Sequence, residues 1–218
     1  MAQITDFASL TARIKTWCAR SDTTFSNEIE TFISLAELRM QNGQGEQGEP
    51  LYCEALSVAE KEITATINAV AGSVTLPIDG SAMRTLRRAG DKIGLEYMTP
   101  RQFSLQDNND PSGLPTNYTV EGSVLRITPA FTGPLEIIYW KNFSAISSSN
   151  TTNTILTVYP MVYLTGCLFE AFSWTQDVEL ALGHFARYKA IVSGINSSAN
   201  ETRYGGSPLR IRTRNAIP

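Results

Sequence analysis

Side chains capable of acid–base, nucleophilic or metal chemistry are few in this chain and do not cluster. His184 is the only histidine, and it falls one residue from the apolar stripe of a predicted helix, which indicates a boundary side chain rather than a general base or metal ligand. Cys18, Cys53 and Cys167 show no CxxC spacing, so each is expected to pack as a small apolar residue rather than in a zinc site or disulfide. The sequence predicts no metal and no cofactor.

Two carboxylate pairs and a glycine-rich run are the remaining candidates for catalysis. Glu60 with Glu62, and Asp107 with Asp110, fall near predicted strand ends and turns, where carboxylates are usually solvated. Residues 43–48 lack the Lys-Ser/Thr ending of a phosphate-binding loop and follow no strand. No Gly-x-Ser-x-Gly nucleophile elbow is present. We therefore predict a protein that is not an enzyme.

Positive charge is most concentrated at Arg84, Arg87 and Arg88. If this segment is extended, Arg84 and Arg88 share one face, which copies arranged in a ring could present to passing DNA. Salt bridges within the chain or between subunits are the alternative. A nucleic-acid-binding module would add four further side chains: Tyr204, Arg210, Arg212 and Arg214. The net charge of -3 argues against this function, because sequence-independent binding needs a basic surface.

A ligand- or carbohydrate-binding β-domain is a second alternative function. Tyr97, Tyr139 and Trp140 would form its aromatic platform. Aromatic residues in strands are more often part of a core, which favours a structural role for these three.

Composition and hydropathy define the elements that position these residues. Hydrophobic residues make up 42% of the chain and charged residues only 18%, which indicates a substantial core and a neutral, polar surface suited to protein contacts. The N-terminus lacks the basic and apolar regions of a signal peptide. Residues 155–174 carry one charge, Glu170, but Pro160 should begin a helix of about 15 residues, or roughly 22 Å, too short to cross a membrane of ~30 Å. A buried helix is expected there.

Apolar residues at helical spacing predict two N-terminal and two C-terminal helices. The first spans residues 5–19, with Thr5 as N-cap and this apolar face: Phe7, Leu10, Ile14, Trp17 and Cys18. The second ends before Asn42 and buries Phe25, Ile29, Phe32, Ile33, Ala36 and Met40. The third begins at Pro160. The fourth spans residues 177–198, with this stripe: Val178, Ala181, Leu182, Phe185, Tyr188, Val192 and Ile195.

Alternating hydropathy predicts strands in the middle of the chain. Ile63, Ala65 and Ile67 alternate with polar residues, and a turn at Gly72 leads into residues 73–77, which indicates a hairpin. Further strands are predicted at 93–98, 117–122, 123–128 and 134–142. We expect an antiparallel β-domain.

The predicted fold class is α+β: a four-helix bundle with an inserted antiparallel β-domain and an extended C-terminal arm. The expected boundaries are 1–49 for the N-terminal helices, 50–146 for the β-domain, 147–199 for the C-terminal helices and 200–218 for the arm.

The C-terminal half resembles head-to-tail adaptor proteins of tailed bacteriophages. The similar features are a proline-led helix, Leu-x-Gly, Glu-Ala, an acidic turn and a final helix, found here at Tyr159–Pro160, Leu164 with Gly166, Glu170 with Ala171, Gln176–Glu179, and Tyr188 with Ile195 and Asn196. The segments VTLPIDG, LEYMTPRQF, GLPTNYTVEGSVLRITP and LEIIYW follow in the family's order, so the resemblance covers about residues 50–196. One departure is the tryptophan usual in the last helix, which is replaced around His184 and Phe185.

The resemblance implies a structural role in the virion neck for a protein made in the host cytoplasm. Such adaptors bind beneath the portal protein as a ring of about twelve copies around the DNA channel. They offer a platform for a tail or nozzle protein, contact passing genomic DNA without sequence specificity, and have no catalytic residues.

With this resemblance, residues 200–218 are expected to dock on the portal as an extended arm. Gly205, Gly206 and Pro208 would redirect the chain. An extended backbone places Leu209 and Ile211 on one face and Arg210 and Arg212 on the other, a pattern suited to strand addition. Arg212 and Arg214 would pair with portal carboxylates. The complete predicted docking set is Arg203, Tyr204, Leu209, Arg210, Ile211, Arg212 and Arg214.

Overall fold

The computed structural model describes residues 3–107 and 113–204 and divides the chain into two compact units. The helical unit combines residues 1–59 with 144–218, and the β unit comprises residues 60–143. The β unit is therefore inserted into the sequence of the helical unit. The fold class is α+β, as predicted.

The elements in chain order are α1 (Phe7–Trp17), α2 (Thr23–Asn42), β1 (Glu62–Ala69), β2 (Ser73–Thr75), β3 (Gly80–Arg88), β4 (Glu96–Tyr97), α3 (Pro100–Asp107), β5 (Asn117–Glu121), β6 (Val124–Thr128), β7 (Gly133–Lys141), α4 (Thr154–Val158), α5 (Pro160–Trp174) and α6 (Val178–Tyr204).

Capping side chains determine where the N-terminal helices begin. The N-cap of α1 is Asp6, one residue after the predicted Thr5. The Asp6 carboxylate accepts from the Ser9 backbone N–H at 2.8 Å, and the Ser9 hydroxyl oxygen accepts from the Asp6 backbone N–H at 3.0 Å, which completes a capping box. Asp22 caps α2 through the Phe25 N–H. In the predicted face of α1, Leu10 and Ile14 are buried, whereas Trp17 is 44% exposed.

The helical unit is organised around α5, which packs against α1, α2, α4 and α6. Its residues from Val162 to Phe169 are all buried, as expected for the apolar run that Pro160 opens. All six predicted core residues of α2 are buried. Because the principal helix contacts all involve α5, we describe this unit as a helix cluster around one central helix.

The final helix is longer than predicted. α6 runs for 27 residues and ends at Tyr204, so residues 200–204, which were assigned to the extended arm, are helical. The predicted stripe is buried at Ala181, Phe185, Tyr188 and Val192. Val178 and Leu182 are exposed instead, at 65% and 47%.

The β unit contains two sheets, one of order β1–β7–β3 and one of order β2–β6–β5–β4. The predicted hairpin of β1 with β2 is limited to one antiparallel bridge between Val70 and Ser73. Along their lengths, β1 pairs with β7 and β2 pairs with β6. A tight turn does join them, and Gly72 there has a φ of +75° with Ile127 O only 2.9 Å from where a Cβ would lie. β4 and β5 are parallel, so the second sheet is mixed rather than purely antiparallel.

The core of the β unit is formed by the alternating inward side chains of the strands. Its buried members are Ala69, Leu86, Leu125, Ile127, Leu135, Ile137 and Tyr139. The alternation predicted for β1 is present, since Ile63, Ala65 and Ile67 pack against this core. Strand β3 and helix α3 were not predicted. β3 contains two register shifts, which break the regular alternation of its side chains. In α3, Phe103 is the one buried residue among those whose side chains the structure describes, so no apolar stripe marks the helix.

Candidate interaction surfaces

His184 is a boundary side chain, as predicted. Its ring stacks on Phe172 at 5.2 Å between centroids and meets Trp17 edge-on at 6.1 Å. Burial, and to a lesser degree the nearby Arg187, lowers the pKa of His184. These contacts place a mainly neutral imidazole in an aromatic cluster.

The cysteines pack as expected for free thiols. Cys53 and Cys167 are buried and Cys18 is half-buried. Burial raises the pKa of all three thiols, to about 11 for Cys18, so the reactive thiolate is disfavoured at neutral pH. In the described part of the chain, no three His, Cys, Asp or Glu side chains come together as a metal site.

Each arginine of the basic cluster, defined as Arg84, Arg87 and Arg88, pairs with a carboxylate of the same chain. Arg84 pairs with Glu62, and Arg87 pairs with Glu136, whose Oε1 lies 2.9 Å from Arg87 Nε. Arg88 forms a bidentate pair with Asp91 at 2.8 and 2.9 Å, and this hydrogen bonding lowers the Asp91 pKa. The intrachain salt bridges weighed above are therefore present, and they neutralise much of the cluster's charge.

The expectation that Arg84 and Arg88 share a face is wrong. A register shift between Met83 and Thr85 moves Arg84 onto the face that carries Glu62 and Glu136, where Arg87 also lies. Arg88 lies opposite the buried Leu135 and turns to Asp91 in the following loop. The register shift in β3 therefore places Arg84 and Arg87, rather than Arg84 and Arg88, on the same face of the sheet.

The structure does not assemble the proposed aromatic platform. Tyr139 is buried on the core face, where its hydroxyl bonds Asp79 at 3.2 Å, whereas Trp140 is the next residue of β7 and points to the opposite face. Tyr97 lies in the other sheet and packs edge-on against Tyr118. Three side chains on different surfaces do not make one binding platform.

A buried ion pair joins α2 to α5. Arg39 Nη2 binds Glu170 Oε1, Arg39 Nε binds Gln44 Oε1 at 2.5 Å, and the guanidinium lies 4.6 Å from the Phe169 ring centroid. Glu170 was noted in the sequence only as the single charge of an apolar run. Its partner was not identified, because 130 residues separate the two positions in the chain and local spacing carries no signal of such a contact.

A second buried polar cluster surrounds Glu37, which is 4% exposed. Its Oε1 accepts hydrogen bonds from the Tyr163 hydroxyl at 2.8 Å and from the Ile146 backbone N–H at 2.9 Å. Asn153 donates to the Tyr163 hydroxyl and to the Ser144 carbonyl, and its own side-chain oxygen caps α4. This cluster holds the segment that re-enters the helical unit after the β unit.

The predicted docking arm lies mainly outside the described residues. Arg203 and Tyr204 fall in the last turn of α6. Leu209, Arg210, Ile211, Arg212 and Arg214 follow residue 204, beyond the part of the chain that the structure describes.

Large apolar side chains are exposed on the helical unit. They are Trp17, Leu35, Leu38, Val158, Met161, Trp174, Val178, Leu180 and Leu182, each at least 37% accessible. A groove of about 440 Å³ lies beside some of them, lined by Ile4, Arg13, Trp17, Pro160, Met161 and Leu164. A surface this rich in exposed apolar residues is typical of a protein that contacts other proteins. Across the described ranges, no helix is both long and apolar enough to cross a membrane.

Comparison with protein families decides the relationship. The SU10 adaptor protein family matches residues 5–212 of the chain. The chain belongs to the SU10 adaptor protein family. The resemblance to phage head-to-tail adaptors drawn from residues 50–196 is therefore confirmed, and in this SU10 adaptor it extends over both N-terminal helices. A comparison with curated proteins gave no match.

Family membership changes how the surfaces of this SU10 adaptor are interpreted. An adaptor is a structural phage protein, and its working parts are surfaces that contact other virion components. His184, the cysteines and the paired arginines instead have structural explanations within the chain.

Proposed function

We propose that this protein is a non-enzymatic head-to-tail adaptor that binds beneath the portal of a tailed phage as a ring of about twelve copies around the DNA channel. The observation that carries the proposal is the family match over residues 5–212. The ring offers a platform to a tail or nozzle protein. The protein is made in the host cytoplasm and resides in the neck of the virion.

The arm, residues 205–218 together with Arg203 and Tyr204, docks on the portal. The alternation of Leu209, Arg210, Ile211 and Arg212 supports docking as an added strand, with the arginines turned to portal carboxylates. Because α6 continues to Tyr204, the hinge begins at Gly205.

Genomic DNA passes through the ring without sequence-specific contact. Arg84, Arg87 and Arg88 support only a weak DNA-facing or inter-subunit role, because each is paired with a carboxylate of its own chain. This pairing also weighs against the alternative of a nucleic-acid-binding module. Filter binding with random-sequence duplex DNA separates the two: an adaptor retains little DNA at physiological salt, whereas tight binding that falls steeply with salt would favour the module.

Negative-stain imaging of the purified protein mixed with the portal ring of its phage tests the adaptor function. We expect an added layer of density on one end of the portal, with the protein alone monomeric or weakly associated. Avidity on the portal template supplies what a single modest contact between neighbours lacks. Absence of any added density would overturn the function, and stable rings without portal would overturn the templated assembly.

A further inference from the structure

The outer face of α2 carries two large apolar side chains that remain exposed to solvent. The inner face of α2 is buried at Ile29, Ile33, Ala36 and Met40. On the opposite face, Leu35 and Leu38 remain 42% and 52% exposed, and they lie one turn apart on one side of the helix. We call Leu35 and Leu38 the α2 ridge.

The outer face of α6 has a shape that accepts such a ridge. Beyond the exposed Leu182, its exposed residues include a row of small ones: Gly183, Ala186, Ala190, Ser193, Gly194 and Ser197. A Cβ added at Gly183 or Gly194 would meet no atom within 4 Å, so the space over this face is open. A smooth face of this kind lets a second helix approach closely, with larger side chains seated between its small ones.

Charges on the two outer faces are complementary in sign and in spacing. Glu28 and Glu30 precede Leu35 by seven and five residues, and Arg187 and Lys189 precede Gly194 by the same seven and five. At 100° per residue, Glu28 and Glu30 fall on opposite flanks of the α2 ridge, as Arg187 and Lys189 do on the small face of α6. Among the residues that the structure describes, none of these four forms an ion pair. Arg187 lies over the Trp17 ring at 5.9 Å and Lys189 over the Tyr52 ring at 5.5 Å, so both cations contact aromatic rings of their own chain without having a counter-charge among the described residues.

The direction of the helices matches this spacing. Phe25 contacts Trp174 whereas Glu37 binds Tyr163, so α2 runs antiparallel to α5. Phe185 packs on Phe169 near the start of α6, while Tyr188 lies further along beside Gly166, so α6 also runs antiparallel to α5. α2 and α6 are therefore roughly parallel within one chain. A rotation of about 30° between copies of a twelve-membered ring keeps them so between neighbours.

We propose that the outer face of α2 in one copy packs in parallel on the outer face of α6 in the next copy, with Leu35 over Gly194, Leu38 over Ser197, and Glu28 and Glu30 facing Lys189 and Arg187. This interface rests on the proposed function, since it joins neighbours in the ring. The two faces are different, so the contact is head-to-tail and repeats around a closed circle instead of ending at a dimer.

Site-specific cross-linking between two variants tests the interface. Leu38→Cys and Ser197→Cys are each made in a Cys18→Ser background and mixed, so a 38–197 product can form only between copies. A short bismaleimide should give a dimer band from the mixture, in concentrated solution or on the portal, and at least tenfold less from Ser197→Cys mixed with Ser149→Cys, an exposed position away from both faces. If the 38–197 product forms neither in solution nor on the portal, the inference is overturned.

Charge exchange provides a second measurement. Glu28→Lys with Glu30→Lys should reduce the 38–197 product at least tenfold, and adding Arg187→Glu with Lys189→Glu should restore it, while the thermal midpoint shows that each variant folds. Lack of restoration in folded protein also overturns the inference. Portal binding of the wild type is measured separately. If the wild type adds density to the portal but the variants give no cross-link, the adaptor function is retained and only this interface is rejected.

Discussion

Glu37 is the buried carboxylate whose protonation most directly affects the helical unit. Burial raises its pKa above the ordinary value of 4.5, opposed by the hydrogen bonds from Ile146 and Tyr163. The raised pKa means that the folded protein holds this proton more tightly than the unfolded chain does. Stability therefore falls as pH rises from about 4.5 through the raised pKa, because burying the charged form becomes necessary.

Glu37→Gln should remove this component of the pH dependence. The amide oxygen of glutamine can still accept from Tyr163 and Ile146, so we expect the variant to equal or exceed the wild type in stability at pH 7, with the difference shrinking toward pH 4. Chemical denaturation at a series of pH values measures it. Glu37→Leu is the control, since it loses the acceptor and should be destabilised at every pH. A constant difference between Glu37→Gln and wild type across the series would contradict this account.

The Arg39–Glu170 pair should show the strong coupling of a buried ion pair. Both side chains are about nine-tenths buried, so Glu170→Ala leaves a guanidinium without its counter-charge and should cost about 3 to 5 kcal/mol. Replacing both, as Arg39→Met with Glu170→Leu, should cost less than the sum of the two single changes. Urea denaturation of Arg39→Met, Glu170→Leu and the double variant measures the coupling. Additive losses would show that the two charges do not depend on each other.

At the scale of elements, α5 is the helix on which the others depend. Leu164 and Phe185 are each 3% exposed, and Phe185 meets Phe169 at 5.0 Å across the α5–α6 contact. A cavity at either position cannot be filled by neighbours that are already fixed against α5.

Leu164→Ala or Phe185→Ala should each cost about 2 to 5 kcal/mol of unfolding free energy. Leu180→Ala is the control, because Leu180 is 47% exposed on the same helix as Phe185 and should change stability by less than about 0.5 kcal/mol. Thermal and urea denaturation of the three variants give the comparison. Equal midpoints for all three would mean that the helix faces are wrongly assigned.

The sequence predicted those elements whose signal is local. α2, α5 and the buried part of α6 follow from apolar spacing, and β5, β6 and β7 follow from alternation bounded by turns. Which strands pair with each other could not be predicted as well. β1 pairs with β7, some 70 residues later in the chain, and no local pattern around Ile63 indicates that partner. The last turn of α6 was missed because Asn200 to Tyr204 lack an apolar stripe, although no breaker occurs before Gly205.

Interaction surfaces were harder to predict than the core. Leu35 and Leu38 look like ordinary helix residues until burial shows which face of α2 is occupied. For the basic cluster, the sequence overstated the candidate surface. Arg84, Arg87 and Arg88 stand out as a run of positive charge, but each pairs with a carboxylate of the same chain in the structure. Charge in a sequence does not reveal whether a partner is already present.

At the scale of the whole molecule, the proposed arm can be tested by deletion, because it follows the end of α6 at Tyr204. Deleting Gly205–Pro218 leaves α6 complete through Tyr204, so we expect an unchanged thermal midpoint and loss of co-sedimentation with the portal. Arg212→Ala with Arg214→Ala should weaken co-sedimentation without abolishing it, because the apolar face of the arm is retained. Normal portal binding by the truncated protein would transfer the attachment role to the helical unit or the β unit.

The insertion of the β unit also orders events during protein synthesis. Residues 60–143, which form the second compact unit, are all synthesised before the ribosome has made α5. α1 and α2 must wait, because their apolar faces are covered mainly by α5, whose contacts to α2 span more than 100 residues. A nascent chain that stops before residue 160 therefore never completes its helical unit. We therefore expect products that end before residue 160 to expose the apolar faces of α1 and α2 and to be degraded by proteases.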